Sequence, residues 1–304
     1  MSEPTPGVFS AFGGVEFLGD YTILTERNDR RFCWSALADP SDLPDLNFAT
    51  AEARDDVLLR PLAVAGNLWL FKTTSIEIWG PTGSAGAAAF QKLTLVETGL
   101  RGFNLLAKVP GGAFFVGADG IAYLTGGGPE LQPISTPAVN EALRRGDPTH
   151  AAYYEHAGHK FCVIRFRDRP ALCLDLVTGL WHERAEGENA AWGATCAASA
   201  FGAWLFGGFN GAVKTAISAQ TDSGEELIRR AVSMPLVNGG GLFKVPVLEV
   251  KADMGRSNLG RDAAVMLRIS RDGGGTWGNW RQASLGGLGQ YGKRAVFRLS
   301  LIHI

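Results

Sequence analysis

The chain has 304 residues, of which 29 are Lys or Arg and 30 are Asp or Glu, so its formal net charge is −1. This nearly neutral balance does not favour a protein that binds nucleic acid or a membrane surface by electrostatic attraction. The 40 glycines, the 14 prolines and a charged fraction of only 19% are typical of a turn-rich, well-packed protein.

The N-terminal sequence, MSEPTPGVFSAFGG, has no basic segment followed by an apolar one and therefore does not resemble a signal peptide. No window approaches the ~18 consecutive apolar residues that a membrane-spanning helix needs. We therefore expect a protein that is made in a cytoplasm and has no membrane partner.

Short apolar segments recur along the whole chain. Examples in chain order are FLGDYTILT, RPLAVAGNLWLFKTTSIEIWG, NLLAKVPGGAFFVGADGIAYLTG, YYEHAGHKFCVIRF and GAWLFGGFNGAVKTA. Many alternate apolar and polar residues with a period of two, which predicts half-buried strands. The connections pair Gly with Asp, Asn or Thr, and such pairs are typical of hairpin turns.

A unit of ~40–50 residues repeats weakly, and repeats of this length are typical of propeller blades. Its anchors are the segments that begin at Gly66, Gly111 and Gly202, each of which leads into a bulky apolar run. The predicted fold is therefore all-β and β-propeller-like, with about six blades, complete or with some missing. A β-sandwich or two small β domains is the alternative that strand spacing leaves open. Because no linker or shift in composition interrupts the chain, we expect a single domain over residues 1–304.

Two segments have helix signals. In the first, from Thr136 to Asp147, Thr136 is a candidate N-cap, Pro137 occupies the first helical position and Gly146 ends the helix. The second runs from about Glu225 to Val232. We expect both to be short insertions between blades.

The four cysteines are Cys33, Cys162, Cys173 and Cys196, and none forms a C-x-x-C pair. Their wide spacing favours buried free thiols in a reducing compartment. A disulfide that joins Cys162 to Cys173 across a hairpin is the alternative.

Near the C-terminus, the pattern S-x-D-x-G-x-T-W is formed by Ser270, Asp272, Gly274, Thr276 and Trp277. This pattern is the Asp-box known from sialidase β-propellers. In such a hairpin the carboxylate accepts hydrogen bonds from its own turn, so Asp272 has a structural role that needs no substrate. The Asp-box therefore predicts a hairpin and not a catalytic site.

Other motifs give little support for catalysis or cofactor binding. A sialidase needs three converging arginines and a Tyr nucleophile paired with a Glu base. Sialidases also usually carry several Asp-boxes, whereas this chain has one Asp-box. A metal site is conceivable at Glu155, His156 and His159, whose spacing suits metal ligands only in a helix. However, the sequence AGH at 157–159 is typical of a hairpin turn. Asp55 and Asp56 lie in the segment AEARDDVLL, which we interpret as a surface loop and not as a catalytic pair of carboxylates. We predict no catalytic residue, no cofactor-binding residue and no metal site.

The order of several segments resembles the packaged-DNA stabilisation protein family of short-tailed bacteriophages, which supplies the tail hub or head closure. The segments are TSIEIWGPTG (74–83), IST (134–136), the GHKF hairpin and the C-terminal S-x-DGG-x-TW…LG-x-x-G-x-Y region. The resemblance covers roughly Phe17 to Leu299.

The resemblance implies a non-enzymatic β-propeller subunit of the virion neck or tail. Its members form a ring, usually a hexamer, below the portal and its adaptor. The ring retains the packaged genome, which lies in its lumen and is contacted without sequence specificity, and it carries the tail needle or tailspikes. The Asp-box would then be the hairpin of a terminal blade.

The chain departs from the family pattern at both ends. Family members have more sequence before the equivalent of Phe17, so residues 1–16 are expected to be an N-terminal extension. The last residues, 300–304, form an atypical tail. The alternative function is a sialidase-like propeller that binds or hydrolyses glycans.

Overall fold

The computed structural model describes residues 9, 11–187, 191–208, 211–214, 221–222, 225–226, 228–239, 243–257 and 263–299. The chain divides into two compact units, Met1–Glu226 and Leu227–Ile304. This division differs from the single domain that we expected over 1–304. Part of the expected extension, from Phe12 onwards, belongs to the first strand, whereas the tail at 300–304 lies outside the described residues.

Five antiparallel sheets of three or four strands follow one another along the described part of the first unit, and the strands of each sheet lie in sequence order. Four sheets have four strands: β1–β4 (Phe12–Leu18, Tyr21–Glu26, Arg31–Trp34, Phe48–Thr50), β5–β8 (Leu58–Val64, Asn67–Lys72, Ile76–Pro81, Phe90–Val96), β9–β12 (Leu106–Val109, Gly112–Val116, Ala122–Thr125, Leu131–Pro133) and β13–β16 (Pro148–His156, His159–Phe166, Ala171–Asp175, Leu180–Arg184). The fifth has β17–β19 (Ala194–Ala200, Ala203–Gly208, Gly211–Lys214), and β20 (Thr221–Asp222) pairs with β21 (Glu225–Glu226).

The turn between the first and second strands is the repeating feature of these sheets. In each of the five sheets this turn contains a glycine in the left-handed region, with φ between 57° and 81°, and successive glycines are 44 to 47 residues apart: Gly19, Gly66, Gly111, Gly158 and Gly202. A two-residue hairpin turn needs positive φ, which glycine adopts without steric cost. The three anchors predicted from sequence are therefore equivalent turns. The all-β, propeller-like prediction is confirmed, with five blade-like sheets in the described residues where about six blades were expected.

The cores lie between neighbouring sheets, and the middle strands are buried on both faces. In β6, Leu68 and Leu70 pack into one cluster with Phe32 and Trp34 of the first sheet. The intervening Trp69 and Phe71 pack instead into a second cluster, which continues through the third and fourth sheets. Successive side chains of a strand point to opposite faces, so an uninterrupted apolar run serves two interfaces.

The same alternation separates two of the cysteines. Cys162 is paired in register with Leu174, and Cys173 is paired with Val163 on the neighbouring strand. Cys162 belongs to the cluster shared with the third sheet, whereas Cys173 packs towards the fifth sheet. Because the two thiols lie on opposite faces of one sheet, they are free, and the alternative of a disulfide between them is wrong.

The helix α1 spans Pro137–Arg145, with Thr136 as N-cap and Gly146 as C-cap, as the sequence predicted. Its buried residues are Val139 and Leu143. A single 3₁₀ turn covers Gly86–Ala88. The second predicted helix is wrong, because Glu225–Glu226 is a strand and residues 228–232 have no helical structure.

The second unit contains two two-stranded antiparallel sheets. Strand β22 (Val247–Val250) pairs with β25 (Ala295–Arg298), and β23 (Ala263–Leu267) pairs with β24 (Arg281–Gly286). Phe297 and Leu299 form its buried core, and Val265 and Leu267 pack against them. Among the described residues of both units, no helix is long and apolar enough to cross a membrane.

Candidate functional site

The first strands of the five sheets line a cavity of about 950 Å³. Small residues line it on β1 and β17, namely Gly13, Gly14, Ala197, Ala198 and Ser199, whereas β5, β9 and β13 contribute larger side chains. In every sheet the strands lie in sequence order, and the same glycine turn follows the first strand. The five first strands are therefore equivalent, and they line the same cavity. Residues of all five sheets therefore face a common space.

The charged groups of the cavity are paired with each other or with the backbone. Arg60 Nη1 donates to the carbonyl oxygen of Leu106 at 3.0 Å, and its guanidinium carbon lies 5.7 Å from the centre of the Phe103 ring. Burial lowers the pKa of Arg60, and the nearby carboxylate of Glu16 opposes that effect. Lys108 Nζ lies 3.8 Å from the same carboxylate. The two cations therefore leave little unbalanced charge for an anionic ligand.

A tyrosine and a glutamate in the cavity meet one requirement of a sialidase. The Tyr153 hydroxyl donates to Glu155 Oε1 at 2.5 Å. Burial raises the pKa of Tyr153, and the hydrogen bond to Glu155 raises it further. The second requirement is not met in the described lining, because Arg60 is its only arginine. A cluster of three guanidinium groups that would hold a substrate carboxylate is therefore absent from the described part of this cavity.

The Asp-box residues form a closed set of hydrogen bonds in the second unit, in the connection between β23 and β24. The carboxylate of Asp272 accepts from the amide of Thr276 at 2.8 Å, from the Thr276 hydroxyl at 2.6 Å and from the Ser270 hydroxyl at 2.7 Å. The Ser270 hydroxyl oxygen also accepts from the amide of Gly274 at 2.8 Å. Hydrogen bonds from Thr276, followed by those from Ser270, hold the pKa of Asp272 far below its ordinary value. The side chain is therefore committed to its own loop.

Next to the Asp-box, the side chain of Arg268 lies between two tryptophans. Its guanidinium carbon is 4.9 Å from the centre of the Trp277 ring and 4.5 Å from that of the Trp280 ring. Both indoles are partly exposed, at 38% for Trp277 and 44% for Trp280. A planar cation between two aromatic faces fixes both rings in place. The sequence gives no signal for this stack, because it brings together side chains that lie nine and twelve residues apart.

A buried polar network lies behind the TSIEIWGPTG segment. The ammonium of Lys72, which is completely buried, lies 2.6 Å from Asp56 Oδ1 and 3.2 Å from Glu77 Oε1. The Asp56 carboxylate also accepts from the amide and hydroxyl of Thr74, at 2.9 and 2.8 Å. Burial raises the pKa of Asp56, but the hydrogen bonds from Lys72 and Thr74 outweigh it and lower the pKa overall. Asp56 is therefore a buried structural residue and not part of a surface loop, unlike its exposed neighbour Asp55.

The histidines considered as metal ligands lie at a hairpin turn. His156 and His159 are paired in register at the ends of β13 and β14. His159 Nδ1 lies 2.7 Å from Asp175 Oδ2, and the two rings of His159 and Phe161 stack. Within the described residues, no group of three His, Cys, Asp or Glu side chains has the arrangement of a metal site.

Comparison with protein families identifies both units. The model described as "Bacteriophage P22 Gp10, beta-propeller" matches residues 13–210, and the one described as "Bacteriophage P22 Gp10, beta-sandwich" matches residues 229–302. No curated protein matches the chain. Among solved structures, the computationally designed Ika4 protein aligns at 12% sequence identity with a TM-score of 0.34, over 55% of this chain and 95% of that one.

The second match corrects the position that the resemblance implied for the Asp-box. The hairpin β23–β24 lies within the region of the β-sandwich model. It is therefore not the hairpin of a terminal propeller blade. The Asp-box marks a hairpin geometry that occurs in more than one architecture, and its residues cannot by themselves indicate a propeller.

Proposed function

Because the chain belongs to the family of bacteriophage P22 Gp10, a family of phage structural proteins, we propose that it is a subunit of the virion neck or tail. One observation carries the proposal: the propeller and sandwich models match in order and together span residues 13–302 with a short gap. The protein would be made in the host cytoplasm and incorporated into the particle.

The proposed assembly is a ring, most simply a hexamer, below the portal or its adaptor. A ring forms through a head-to-tail interface that closes on itself. Light scattering of the purified chain should then give six times its 32.4 kDa mass. A chain that stays monomeric both alone and on isolated portal–adaptor complexes would contradict the ring.

In this proposal the ring retains packaged DNA and anchors the tail needle or tailspikes. Particles assembled without the protein should package DNA and then lose it. The fraction of the genome that nuclease digests in intact particles measures that loss. Equal protection with and without the protein would refute the proposed role.

We propose further that the protein has no catalytic activity, cofactor or metal. A glycan-hydrolysing propeller is the alternative, and the contact between Tyr153 and Glu155 in the cavity favours it. An assay with a fluorogenic sialoside separates the two. We expect no turnover; turnover that is lost in Tyr153→Phe and kept in the matched variant Tyr123→Phe would establish the enzyme instead.

A further inference from the structure

The outer face of the β23–β24 hairpin has the composition of a protein interface. We define the tryptophan face as Met266, Arg268, Trp277 and Trp280. Met266 is 52% exposed and pairs in register with Gln282, and Arg268 and Trp280 directly follow and precede the last register pair of the hairpin, Leu267 with Arg281. Trp, Met and Arg are the side chains most enriched at the centres of protein interfaces. The Asp-box and the arginine stack hold this face rigid, so little side-chain entropy is lost when a partner binds.

The surroundings of the tryptophan face are positively charged. Arg271 is exposed in the Asp-box loop, and Lys293 Nζ contacts Ser284 on β24 at 2.9 Å. The one acidic residue within the hairpin is Asp272, whose carboxylate is occupied by its own turn. An acidic protein surface with exposed apolar side chains would match this face.

The chain itself carries such a surface in the loop between β3 and β4. We call residues 37–46 the acidic loop. It contains three aspartates and no Lys or Arg, and two of its three leucines, Leu37 and Leu46, are 56% and 76% exposed. The loop therefore combines negative charge with two exposed apolar side chains, which complement the positive charge and the indoles of the tryptophan face.

The acidic loop is ordered by its own hydrogen bonds. The amide and hydroxyl of Ser41 donate to Asp39 Oδ1 at 3.0 and 2.6 Å. The amide of Ala36 donates to the carbonyl oxygen of Asp42 at 2.8 Å, and that of Asn47 donates to the carbonyl oxygen of Pro44 at 3.0 Å. The leucines are therefore presented by a fixed backbone, which is the preorganisation that a binding surface needs.

We propose that the tryptophan face binds the acidic loop of a second copy of this chain. The two surfaces differ, so the contact is head to tail and can be repeated from copy to copy, as a ring requires. The inference rests on the proposed ring, and it adds the surfaces through which the ring forms. Opposite charges select the pairing, and the indoles and leucines exclude water from it.

Two variants of the full chain test the proposal in sedimentation velocity. Asp42→Lys with Leu46→Ser disables the loop and leaves the tryptophan face intact; Trp280→Ala disables the face and leaves the loop intact. Each variant alone should associate at least ~30-fold more weakly than the unmodified chain, the scale of an interface hot spot. Mixed together, the two variants should form dimers and nothing larger, because one intact contact remains for each pair.

Matched controls separate this contact from general damage. Asp168→Lys changes an exposed acid outside the acidic loop, and Tyr291→Ala removes an exposed ring outside the tryptophan face. Both should associate like the unmodified chain. If Trp280→Ala lowers the melting temperature, Met266→Glu on the opposite strand replaces it.

Each remaining outcome overturns the inference. Variants that assemble like the unmodified chain would show that another surface builds the ring, and the proposed function would stand. A mixture that stays monomeric would exclude the head-to-tail contact. An unmodified chain that stays monomeric both alone and on isolated portal–adaptor complexes would also exclude it, and the nuclease-protection experiment would then decide the proposed function separately.

Discussion

At position 272 a carboxylate maintains the shape of a loop instead of reacting with a ligand. Its oxygens accept from Thr276 and Ser270, so the lowered pKa of Asp272 reflects local hydrogen bonds. We expect Asp272→Asn to speed hydrogen exchange at the Thr276 amide, because an amide side chain offers one acceptor oxygen instead of two. Mass spectrometry of exchange reports this directly. Asp253→Asn, at an exposed aspartate of the same unit, is the control and should change nothing.

The same carboxylate makes the loop sensitive to acid. A group whose pKa is lower in the folded state contributes stability above its unfolded pKa, here 3.8, and loses it as the pH falls through the folded value. The protection of the Thr276 amide should therefore be constant above pH ~5 and decline below pH 3.8. Decline at the same pH in Asp272→Asn would assign the effect to another group.

Burial also decides which thiols react. Burial raises the pKa of Cys33 and of Cys173 to about 12, and it raises that of Cys162 as well, whereas Cys196 is exposed. We expect one thiol per chain to react with a thiol reagent in the native protein and four after unfolding, because thiolates are the reactive form. Cys196→Ser should reduce the native value to zero; a residual native reaction would mean that a buried strand opens.

The buried ammonium of Lys72 holds two buried carboxylates. Lys72→Met would leave Asp56 and Glu77 buried without their cation, and such losses cost about 3–5 kcal/mol. Urea denaturation should show this decrease in the free energy of unfolding. The exposed Lys92→Met is the matched control, expected within about 0.5 kcal/mol of the unmodified chain.

At the scale of elements, neighbouring sheets approach closely at Gly99. A Cβ added there would lie 2.3 Å from the carbonyl oxygen of Thr73, and the adjacent amide of Leu100 donates to the carbonyl oxygen of Lys72 at 2.8 Å. Gly99→Ala should therefore push apart the second and third sheets and destabilise the protein by about 1–3 kcal/mol. Thermal unfolding measures the loss. Gly126→Ala, where an added Cβ meets nothing within 4 Å, should be neutral.

The strands and α1 were predictable because local signals decide them. Thr136, Pro137 and Gly146 mark the helix ends, and a glycine with positive φ marks each first turn. The segment at 225–232 has helix-forming residues, but its described residues 228–232 are all exposed, so propensity alone gave the wrong element. The central cavity, the Lys72 network and the Arg268 stack depend on residues that are distant in sequence or paired across strands. A single sequence does not reveal such contacts.

At the scale of the whole molecule, the class of fold was easier to predict than the division of the chain. Period-two patterns continue from the propeller region into the sandwich region, so both give the same strand signal. The boundary at Glu226 and Leu227 has no proline- or serine-rich linker to mark it. The order of several motifs predicts the packaged-DNA stabilisation protein family of short-tailed phages, and the family models confirm this prediction.

The five equivalent first turns provide sites for locating the subunit inside a particle. An added Cβ at Gly19, Gly66, Gly111, Gly158 or Gly202 meets no atom within 4 Å. Equivalent turns of successive blades lie on one side of a propeller. A short epitope inserted at any of them, one at a time, would label the same side of the subunit, and antibody density in electron micrographs would then reveal which way each subunit points in the assembled particle.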